Sequence, residues 1–343
     1  MNKALKITLI IIGCILLLIA LLLGGLWLYV NGLLNKVDRT EITGNLTLSE
    51  AEIYEGETVD ATDSVEHIDQ AHDEFQEAQE IAPLKDSKIT NILLIGTDRR
   101  SSWEYGRSDS MIILSINERT KKIHLTSLMR AMYVCIPRSD GEQWGMLNAA
   151  YSWGGPKLLI ETVENNFRIK IDHYVVVDFA AFEKGIDLLG GVEITLTDAE
   201  AHYIQTQSRD RIPTSSGTQI LNGQQALVYC RIRLIDNDFV RTKRQRTMLT
   251  KLMNKAASSS IPKLIDLAET MLPYVNTDMT NGEILSYIAK VPSLMSNPVT
   301  QRMIPIENEA GKSFTGIIFV QGREMYKVDF NTNIRALHEF IMS

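Results

Sequence analysis

Residues 91–100, with the sequence NILLIGTDRR, describe an apolar strand that runs into a polar loop. The apolar run ends at Gly96, and short apolar runs bounded by turn residues are typical of strands buried inside a covered sheet. Asp98 stands just past the carboxyl end of this strand, which is where open α/β sheets usually bind their ligands. The stretch therefore predicts an α/β domain with a polar site at the end of its first strand.

The loop after this strand contains a second carboxylate and further arginines. Asp98 and Asp109 could meet across the loop, and two carboxylates with waters are a common protein contribution to a Mg²⁺ site. Arg100 and Arg107 lie close by in sequence, and guanidinium groups bind phosphate oxygens through paired hydrogen bonds. Alternatively, Asp98 only forms the turn, and Arg107 with Asp109 is a surface ion pair. The four residues together favour Mg²⁺ on Asp98 and Asp109 beside a phosphate group.

The pattern continues as alternating strands and helices. Strands are predicted at Ile89–Ile95, Met111–Ile116, Lys122–Leu128, His173–Val177 and Val192–Leu196, and helices at Leu147–Phe167, Phe179–Leu189, Gly223–Val228 and Phe239–Ala257. Such alternation favours a layered α/β domain with a mixed sheet. We find no internal repeat or linker in residues 88–343, so one domain is predicted there.

A second concentration of arginines lies between residues 231 and 246. Asp238 is a plausible N-cap for a helix that follows it. The first two turns of that helix hold Arg241, Lys243, Arg244 and Arg246. Cations at a helix N-terminus oppose the helix dipole, whereas an anion bound there is stabilised. The placement of these charges therefore predicts a bound phosphate.

Spacing brings several of these side chains towards one point. Arg241, Arg244 and Gln245 share roughly one face of the predicted helix. Arg231 and Arg233 could approach the same point from the preceding turn. A solvated basic face and a DNA-binding patch are the alternatives. The conflict with the helix dipole favours a phosphate site over a solvated basic face.

The N-terminal part of the chain predicts a membrane anchor. Residues 1–6 form a short tail, and residues 7–30 are dominated by Leu and Ile without charge, long enough to cross the ~30 Å hydrocarbon core. Trp27 and Tyr29 fall at its far end, where aromatic rings favour the lipid–water interface. A cleaved signal peptide is the alternative, but its apolar run would be shorter. We predict a single-pass protein of the cell membrane whose large C-terminal domain is extracytoplasmic.

Charge is unevenly distributed along the remainder of the chain. Between Thr40 and Thr90, fourteen Asp and Glu residues accompany two Lys residues, so this segment carries −12 and the rest of the chain +5. We therefore expect an acidic extracytoplasmic spacer over residues 31–87 and a basic domain over residues 88–343. A basic domain is compatible with an anionic partner.

Several common chemistries find no support in the sequence. No Gly-x-Gly-x-x-Gly follows the first strand, and neither Gly-x-Ser-x-Gly nor His-Glu-x-x-His occurs. Gly311-Lys312-Ser313 resembles the end of a P-loop, but Ile306 stands where the first glycine is required. The histidines are scattered without ligand-like spacing, which argues against zinc.

Taken in order along the chain, the motifs resemble the LytR–CpsA–Psr family of bacterial cell-envelope enzymes. The matching blocks are Gly96–Arg100 with Arg107–Asp109, Ser127–Arg130 with Tyr133–Pro137, Leu147–Gly155, Leu188–Val192 and Leu221–Gln245. The resemblance covers about residues 89–257 and is weaker towards the C-terminus. Each block alone is weak, whereas all of them in order behind one N-terminal apolar segment form a specific signal.

The resemblance implies a fold and an activity. The fold is a three-layer α-β-α sandwich with a mixed central sheet and an apolar pocket for a polyprenyl chain, behind the transmembrane helix. The activity is transfer of a glycopolymer, such as teichoic acid or capsular polysaccharide, from an undecaprenyl-pyrophosphate carrier to peptidoglycan, which leaves a phosphodiester link. The expected partners are therefore that carrier, peptidoglycan and the membrane.

Matching positions assign roles to individual residues. Asp98 and Asp109 would hold Mg²⁺. The catalytic set would be Asp98, Arg130, Arg231 and Arg233, and the substrate-binding set Arg100, Arg107, Arg130, Arg231, Arg233, Asp238, Arg241 and Gln245. The general base is left open, with Asp98, Asp238 and a metal-bound water as candidates.

One position departs from the family pattern. The second block commonly reads Pro-Arg-Asp, whereas this chain has Met129-Arg130-Ala131. If the missing acid only orients its loop, activity persists; if it transfers a proton, this protein is slow or inactive. Two alternatives remain open, a non-catalytic polyprenyl-phosphate binding protein and an envelope-linked transcriptional attenuator. DNA binding would need a cytoplasmic basic domain, so the predicted orientation excludes a nucleic-acid partner.

Overall fold

The computed structural model describes residues 28–41, 65–97, 108–306 and 315–343. Its strands are β1 Ile89–Thr97, β2 Ser108–Asn117, β3 Lys122–Leu128, β4 Tyr133–Arg138, β5 Gly141–Met146, β6 His173–Asp178, β7 Val192–Leu196, β8 Gly217–Leu221, β9 Val275–Thr277, β10 Thr300–Ile304, β11 Thr315–Val320 and β12 Arg323–Val328. Its helices are α1 Val65–Ala78, α2 Leu147–Phe167, α3 Phe179–Leu188, α4 Asp198–Gln207, α5 Gly223–Arg231, α6 Asp238–Ala257, α7 Ile261–Met271, α8 Asn281–Leu294 and α9 Phe330–Met342. The predicted strands β1, β2, β3, β6 and β7 and helices α2, α3, α5 and α6 are confirmed.

Six strands form one mixed sheet in the order β10-β3-β2-β1-β6-β9. β2 is antiparallel to β1 and β3, whereas β6 is parallel to β1 and β10 is parallel to β3. Successive side chains of a strand point to opposite faces. Accordingly, Leu93 and Ile95 of β1 enter one apolar core, and Ile92 with its partly buried neighbour Leu94 enters another. The uninterrupted apolar run of β1 is explained by burial on both faces.

Helices cover both faces of this sheet. On the face of Leu93, α2 contributes Phe167 and α9 contributes Leu337 to the core. On the face of Ile92, Leu249 of α6 and Leu294 of α8 pack against the strands. The protein therefore has three layers, helices on both sides of a mixed sheet, and the predicted α/β class is confirmed.

A second group of elements packs beside the sheet and positions the site. The β7–β8 hairpin, α4, α5 and the first half of α6 share an apolar core that includes Ile194, Leu221, Ala226 and Met248. α5 and α6 therefore lie next to each other, and both face the end of β1 where the loop predicted to bind phosphate begins.

Two segments that precede residue 88 are part of the packed structure. Phe75 of α1 is buried in the main core and makes an edge-on ring contact with Phe330 of α9. Leu33, Leu34 and Val37 are buried as well. The acidic spacer predicted before residue 88 therefore contains segments that pack with the domain, because a few apolar side chains anchor them despite their charge.

The predicted membrane span, residues 7–30, lies almost entirely outside the described residues. Of that span, only residues 28–30 are described, and they belong to a helical segment at 28–34. Within the described part of the chain, every helix is too short or too polar to traverse a bilayer.

Candidate functional site

A cavity of about 420 Å³ lies between the sheet and helices α3, α5 and α6. Most of its wall is apolar. The strands contribute Leu94, Ile95, Ile112, Val175 and Val177, and the helices contribute Phe179, Phe182, Leu227, Met248, Leu249 and Leu252. An apolar wall of this kind excludes water and binds hydrocarbon through the hydrophobic effect. The cavity is therefore suited to an apolar chain.

One end of this cavity carries a cluster of charged side chains, which we call the arginine cluster: Asp109, Arg130, Arg231, Arg233, Asp238 and Arg241. Asp238 lies at its centre, with one carboxylate oxygen 3.2 Å from Arg233 Nε and the other 3.6 Å from Arg130 Nε and 3.4 Å from Arg241 Nη2. Arg130 also donates a hydrogen bond of 3.0 Å from Nη1 to Asp109. Three of the four arginines therefore pair with these two carboxylates, and the cluster has a surplus of positive charge.

Arg241 is the most buried member of the arginine cluster, with 4% of its surface exposed. Burial lowers its pKa to about 10, although Asp238 opposes the shift. The guanidinium therefore stays charged at neutral pH, and its Nε has no hydrogen-bond partner among the described residues. A buried cation that is incompletely paired is favoured by a bound anion.

Two contacts fix the end of α5 where it meets this cavity. Gln245 of α6 lines the cavity and donates a hydrogen bond from Nε2 to the carbonyl oxygen of Cys230 at 3.4 Å. The guanidinium of Arg231 lies 5.0 Å from the ring centroid of Phe179, a cation–π distance. These contacts hold Arg231 at the junction of the apolar wall and the charged end.

The start of α6 differs in detail from the prediction. Asn237, not Asp238, is the N-cap residue, and its side chain accepts a hydrogen bond from the backbone N–H of Val240. Because Asn237 satisfies the helix end, the carboxylate of Asp238 is available to the arginines. The cations that follow are tolerated since this carboxylate lies among them.

Arg244 does not share the face of Arg241 and Gln245, so this prediction was wrong. Its guanidinium donates to Asp236 and, from Nε at 2.8 Å, to Glu200 of α4, and it also hydrogen-bonds the carbonyl oxygen of Ile232 at 3.4 Å. It is 4% exposed and turned away from the cavity. Arg244 therefore braces the loop that carries Arg233 instead of facing a ligand.

The structure brings together most of the predicted site residues. Asp109, Arg130, Arg231, Arg233, Arg241 and Gln245 line one cavity, and Asp238 contacts three of them. Asp98, Arg100 and Arg107 lie outside the described residues. Sequence reasoning missed the apolar contributions of Phe179 and Phe182, which the adjacent strand end and their spacing of three on a helix could have signalled.

Of the two carboxylates predicted to hold Mg²⁺, only Asp109 lies among the described residues. Asp109 lies on the cavity wall beside Arg130, and its carboxylate is the hard oxygen donor that Mg²⁺ prefers. The described residues contain no group of three or more His, Cys, Asp or Glu side chains arranged to hold a metal. A site that uses few carboxylates and substrate phosphate fits the residues present.

Ala131 stands where the motif quoted above commonly has an acid, and its backbone is fixed by a hydrogen bond. The carbonyl oxygen of Ala131 accepts a hydrogen bond from the backbone N–H of Tyr326 on β12 at 2.9 Å. Met132 forms a parallel bridge with the same strand residue. The backbone that follows Arg130 is therefore held in place without an acidic side chain at 131.

A mixed α/β sheet, with an apolar cavity that ends in a surplus of arginines, defines a class of proteins suited to amphiphilic phosphates. The LytR_cpsA_psr family model matches residues 53–334. The polyisoprenyl-teichoic acid–peptidoglycan teichoic acid transferase TagU of Oceanobacillus iheyensis is 34% identical over 285 residues, 80% of this chain and 84% of that protein. The chain belongs to the LytR–CpsA–Psr family.

Solved structures give the same relationship. Bacillus subtilis TagV matches with a TM-score of 0.61 at 28% identity, over 75% of this chain and 97% of that chain. The family protein YwtF (TagT) with bound octaprenyl pyrophosphate lipid matches with a TM-score of 0.58 at 22% identity, over 76% of this chain and 94% of that chain. The second likeness bears on the fold alone.

Proposed function

We propose that this protein transfers a glycopolymer from an undecaprenyl-pyrophosphate carrier to peptidoglycan and forms a phosphodiester link. The observation that carries the proposal is the continuity of the apolar cavity with the arginine cluster, because a polyprenyl pyrophosphate has the same two parts. The relative TagU of Oceanobacillus iheyensis is named as a teichoic acid transferase, which supports the reaction type. Teichoic acid or a capsular polysaccharide is the proposed cargo.

The proposed reaction exchanges one phosphorus–oxygen bond for another. A hydroxyl oxygen of peptidoglycan attacks the phosphorus next to the glycopolymer, the bond to the bridging oxygen breaks, and the lipid monophosphate leaves. The hydroxyl proton must be accepted by a base. Three guanidinium groups contact Asp238, so we assign this carboxylate the role of holding the arginines in place. Of the candidate bases, this leaves Asp98 and a metal-bound water.

The arginine cluster would act mainly by electrostatics. Negative charge develops on the leaving phosphate as the bridging bond breaks, and preorganised donors stabilise it in a site that excludes water. Arg130, Arg231 and Arg233 line the cavity and would fill this role, while Arg241 and Gln245 would bind and orient the pyrophosphate. Asp98 and Asp109 would hold Mg²⁺, which when bound would neutralise pyrophosphate oxygens.

The apolar cavity and the membrane segment belong to the same proposal. The polyprenyl tail would occupy the cavity lined by Leu94, Val175 and Leu252. A carrier lipid is confined to the bilayer, so an enzyme anchored in that bilayer by residues 7–30 meets it at high local concentration. We therefore propose that the domain is extracytoplasmic and tethered at the cell membrane.

The test is turnover by the full-length protein in detergent micelles. Purified protein with Mg²⁺, peptidoglycan and a polyprenyl-pyrophosphate-linked glycopolymer should release lipid monophosphate and label the peptidoglycan. Arg231→Ala should lower the rate by about 10²–10³-fold, the loss typical of a removed charge-stabilising donor. Arg119→Ala is the matched control, because Arg119 is exposed and pairs with Asp86. Near-normal turnover of Arg231→Ala would reject the role of the arginine cluster.

Non-catalytic binding of a polyprenyl phosphate is the second candidate. The observation that favours it is Ala131, which replaces an acid of the family motif. Binding of the lipid without any release of monophosphate, in wild type and in an Ala131→Asp variant, would support this reading. Release restored only by Ala131→Asp would instead assign proton transfer to the missing acid.

A further inference from the structure

Residues 28–41 are attached to the edge of the central sheet. The backbone N–H of Asp38 donates to the carbonyl oxygen of Val275 at 3.0 Å, and the N–H of Thr277 donates to that of Asp38 at 3.1 Å. These bonds extend the sheet beyond β9. Leu33 and Leu34 of the same segment are buried. The segment is therefore continuous with the domain instead of being a free tether.

A set of polar contacts, which we call the latch, binds the same segment to the start of α8; it consists of Asn31, Asn35, Arg39 and Asn281. Arg39 donates from Nε to the carbonyl oxygen of Met279 at 2.8 Å and from Nη2 to Asn281 Oδ1 at 2.5 Å. Asn281 Nδ2 in turn donates to Asn31 Oδ1 at 2.9 Å and to Asn35 Oδ1 at 2.7 Å. Both ends of the segment are thus bonded to one helix terminus, which leaves little freedom between residue 31 and the sheet.

The other end of this segment contacts α7. Tyr29 donates a hydrogen bond from its hydroxyl to Glu269 Oε1 at 2.6 Å. Leu28 and Tyr29 are exposed, at 65% and 46%, and both belong to the apolar run predicted to span the bilayer. A residue in direct contact with Tyr29 must lie at the same depth. α7 is therefore brought to the lipid–water interface by the chain itself.

The composition of α7 and its surroundings fits that position. Leu264, Ile265, Leu267 and Met271 are only partly buried, and none of them belongs to an apolar core of the described residues. Tyr274 follows the helix and is exposed, with Lys184 Nζ 4.4 Å from its ring centroid. Partly exposed apolar side chains beside tyrosines are typical of a surface that lies at the lipid–water interface.

We propose that α7, together with Leu28, Tyr29 and Tyr274, forms a docking face that lies on the surface of a lipid bilayer. This inference rests on the membrane anchoring proposed above. Met271 of α7 packs against Gly185 of α3, the helix whose Phe179 and Phe182 line the apolar cavity. The docked face therefore places the cavity beside the bilayer, and the latch fixes that orientation.

The experiment measures the depth of single labels on the full chain in nanodiscs. The lipid is phosphatidylcholine with phosphatidylglycerol at about 3:1, and Cys14 is replaced by Ala because the other two cysteines are buried. A nitroxide is placed at Leu267→Cys or Tyr274→Cys, with Glu339→Cys on α9 as the exposed control. Docking predicts that dissolved oxygen relaxes the labels at 267 and 274 more than an aqueous nickel chelate does, and that the control shows the reverse. Aqueous accessibility of 267 and 274 equal to that of the control would overturn the proposal.

A latch variant and a binding assay separate this inference from the proposed function. Arg39→Gln should move the label at 267 towards water without changing pyrophosphate binding in micelles, since Arg39 hydrogen-bonds Leu34, Met279 and Asn281, which do not belong to the arginine cluster. A label that stays in lipid in Arg39→Gln would overturn the orienting role of the latch. Binding of pyrophosphate to the wild-type protein reports on the arginine cluster alone. If the wild type fails to bind pyrophosphate while its label at 267 lies in lipid, the proposed function is contradicted and the docking face is not.

Discussion

Arg241 and Arg244 lie three residues apart on α6 and have opposite surroundings. Arg244 faces two carboxylates, Asp236 and Glu200, and a backbone carbonyl. Burial lowers its pKa, but the hydrogen bonds with those carboxylates outweigh burial and the net shift is upward. Arg241 shares the single carboxylate of Asp238 with two other arginines, and burial lowers its pKa to about 10. The protein therefore compensates the charge of Arg244 fully and that of Arg241 only in part.

This difference shows what separates a structural arginine from a binding one. Both side chains are buried, so burial alone does not distinguish them. The number of carboxylates supplied by neighbouring elements does. An arginine whose charge is fully compensated stabilises the fold, whereas one left in a surplus of positive charge costs stability until an anion arrives.

The largest expected effect on stability comes from removing Arg244, whose charge is fully compensated. Arg244→Ala leaves the carboxylates of Asp236 and Glu200 largely buried without their partner, and breaking such a pair typically costs about 3–5 kcal/mol. We expect a loss of this order in the free energy of unfolding, measured by urea denaturation. A loss below about 1 kcal/mol would contradict the assignment of Arg244 as a brace.

Removing Arg241, whose charge is only partly compensated, should affect pyrophosphate binding and not stability. Arg241→Met removes a buried charge but keeps an apolar side chain of similar length, so the free energy of unfolding should be unchanged or higher. Pyrophosphate binding should weaken by about one to two orders of magnitude, because a hydrogen bond to a charged group contributes about 1.5–3 kcal/mol. Calorimetric titration measures the affinity. A variant that binds pyrophosphate normally would remove Arg241 from the site.

Acid should weaken the ion pair between Glu200 and Arg244. Burial raises the pKa of Glu200, but hydrogen bonds from Thr197 and Arg244 outweigh it and hold the pKa below its usual value. A depressed carboxyl pKa gives stability above the unfolded pKa, about 4.3, that is lost as pH falls through the folded pKa. Urea denaturation from pH 7 to pH 3 should show a shallower acid loss in Glu200→Gln. Identical slopes would reject this contribution.

The smallest effect is expected at Lys243, which lies between these two arginines and is exposed. Lys243→Ala should change the free energy of unfolding by no more than about 0.5 kcal/mol and leave pyrophosphate affinity as it is. The same denaturation and titration experiments apply. A large change in either quantity would mean that the basic run acts through its summed charge instead of through individual contacts.

The sheet was predictable because its signal is local. Leu93, Leu94 and Ile95 form an apolar run that only burial on both faces explains, and the polar residues after Gly96 mark the strand end. The convergence of Arg231, Arg233 and Arg241 was predicted from helix geometry and from the family motifs. Those signals act over a few residues or a known pattern.

What the sequence did not reveal depends on distant partners. Spacing of three and four residues places Arg241, Arg244 and Gln245 within a broad arc. Arg244 is turned away by Asp236 and by Glu200, and Glu200 lies forty-four residues earlier in the chain. The role of Phe75 was hidden in the same way, because its acidic neighbours indicated a solvated segment while its partner Phe330 lies near the C-terminus. Packing of this kind has no local signature.

The strand order of the central sheet also dictates when the fold can be completed. Both edge strands, β9 and β10, come late in the chain, after residue 274. Until they are synthesised, β3-β2-β1-β6 is an open sheet whose outer N–H and C=O groups are unpaired and able to join strands of other chains. Pairing between segments so far apart is slow to form. β9 and β10 therefore cover the open edges of the sheet, and the chain is most prone to aggregation just before these two strands are synthesised.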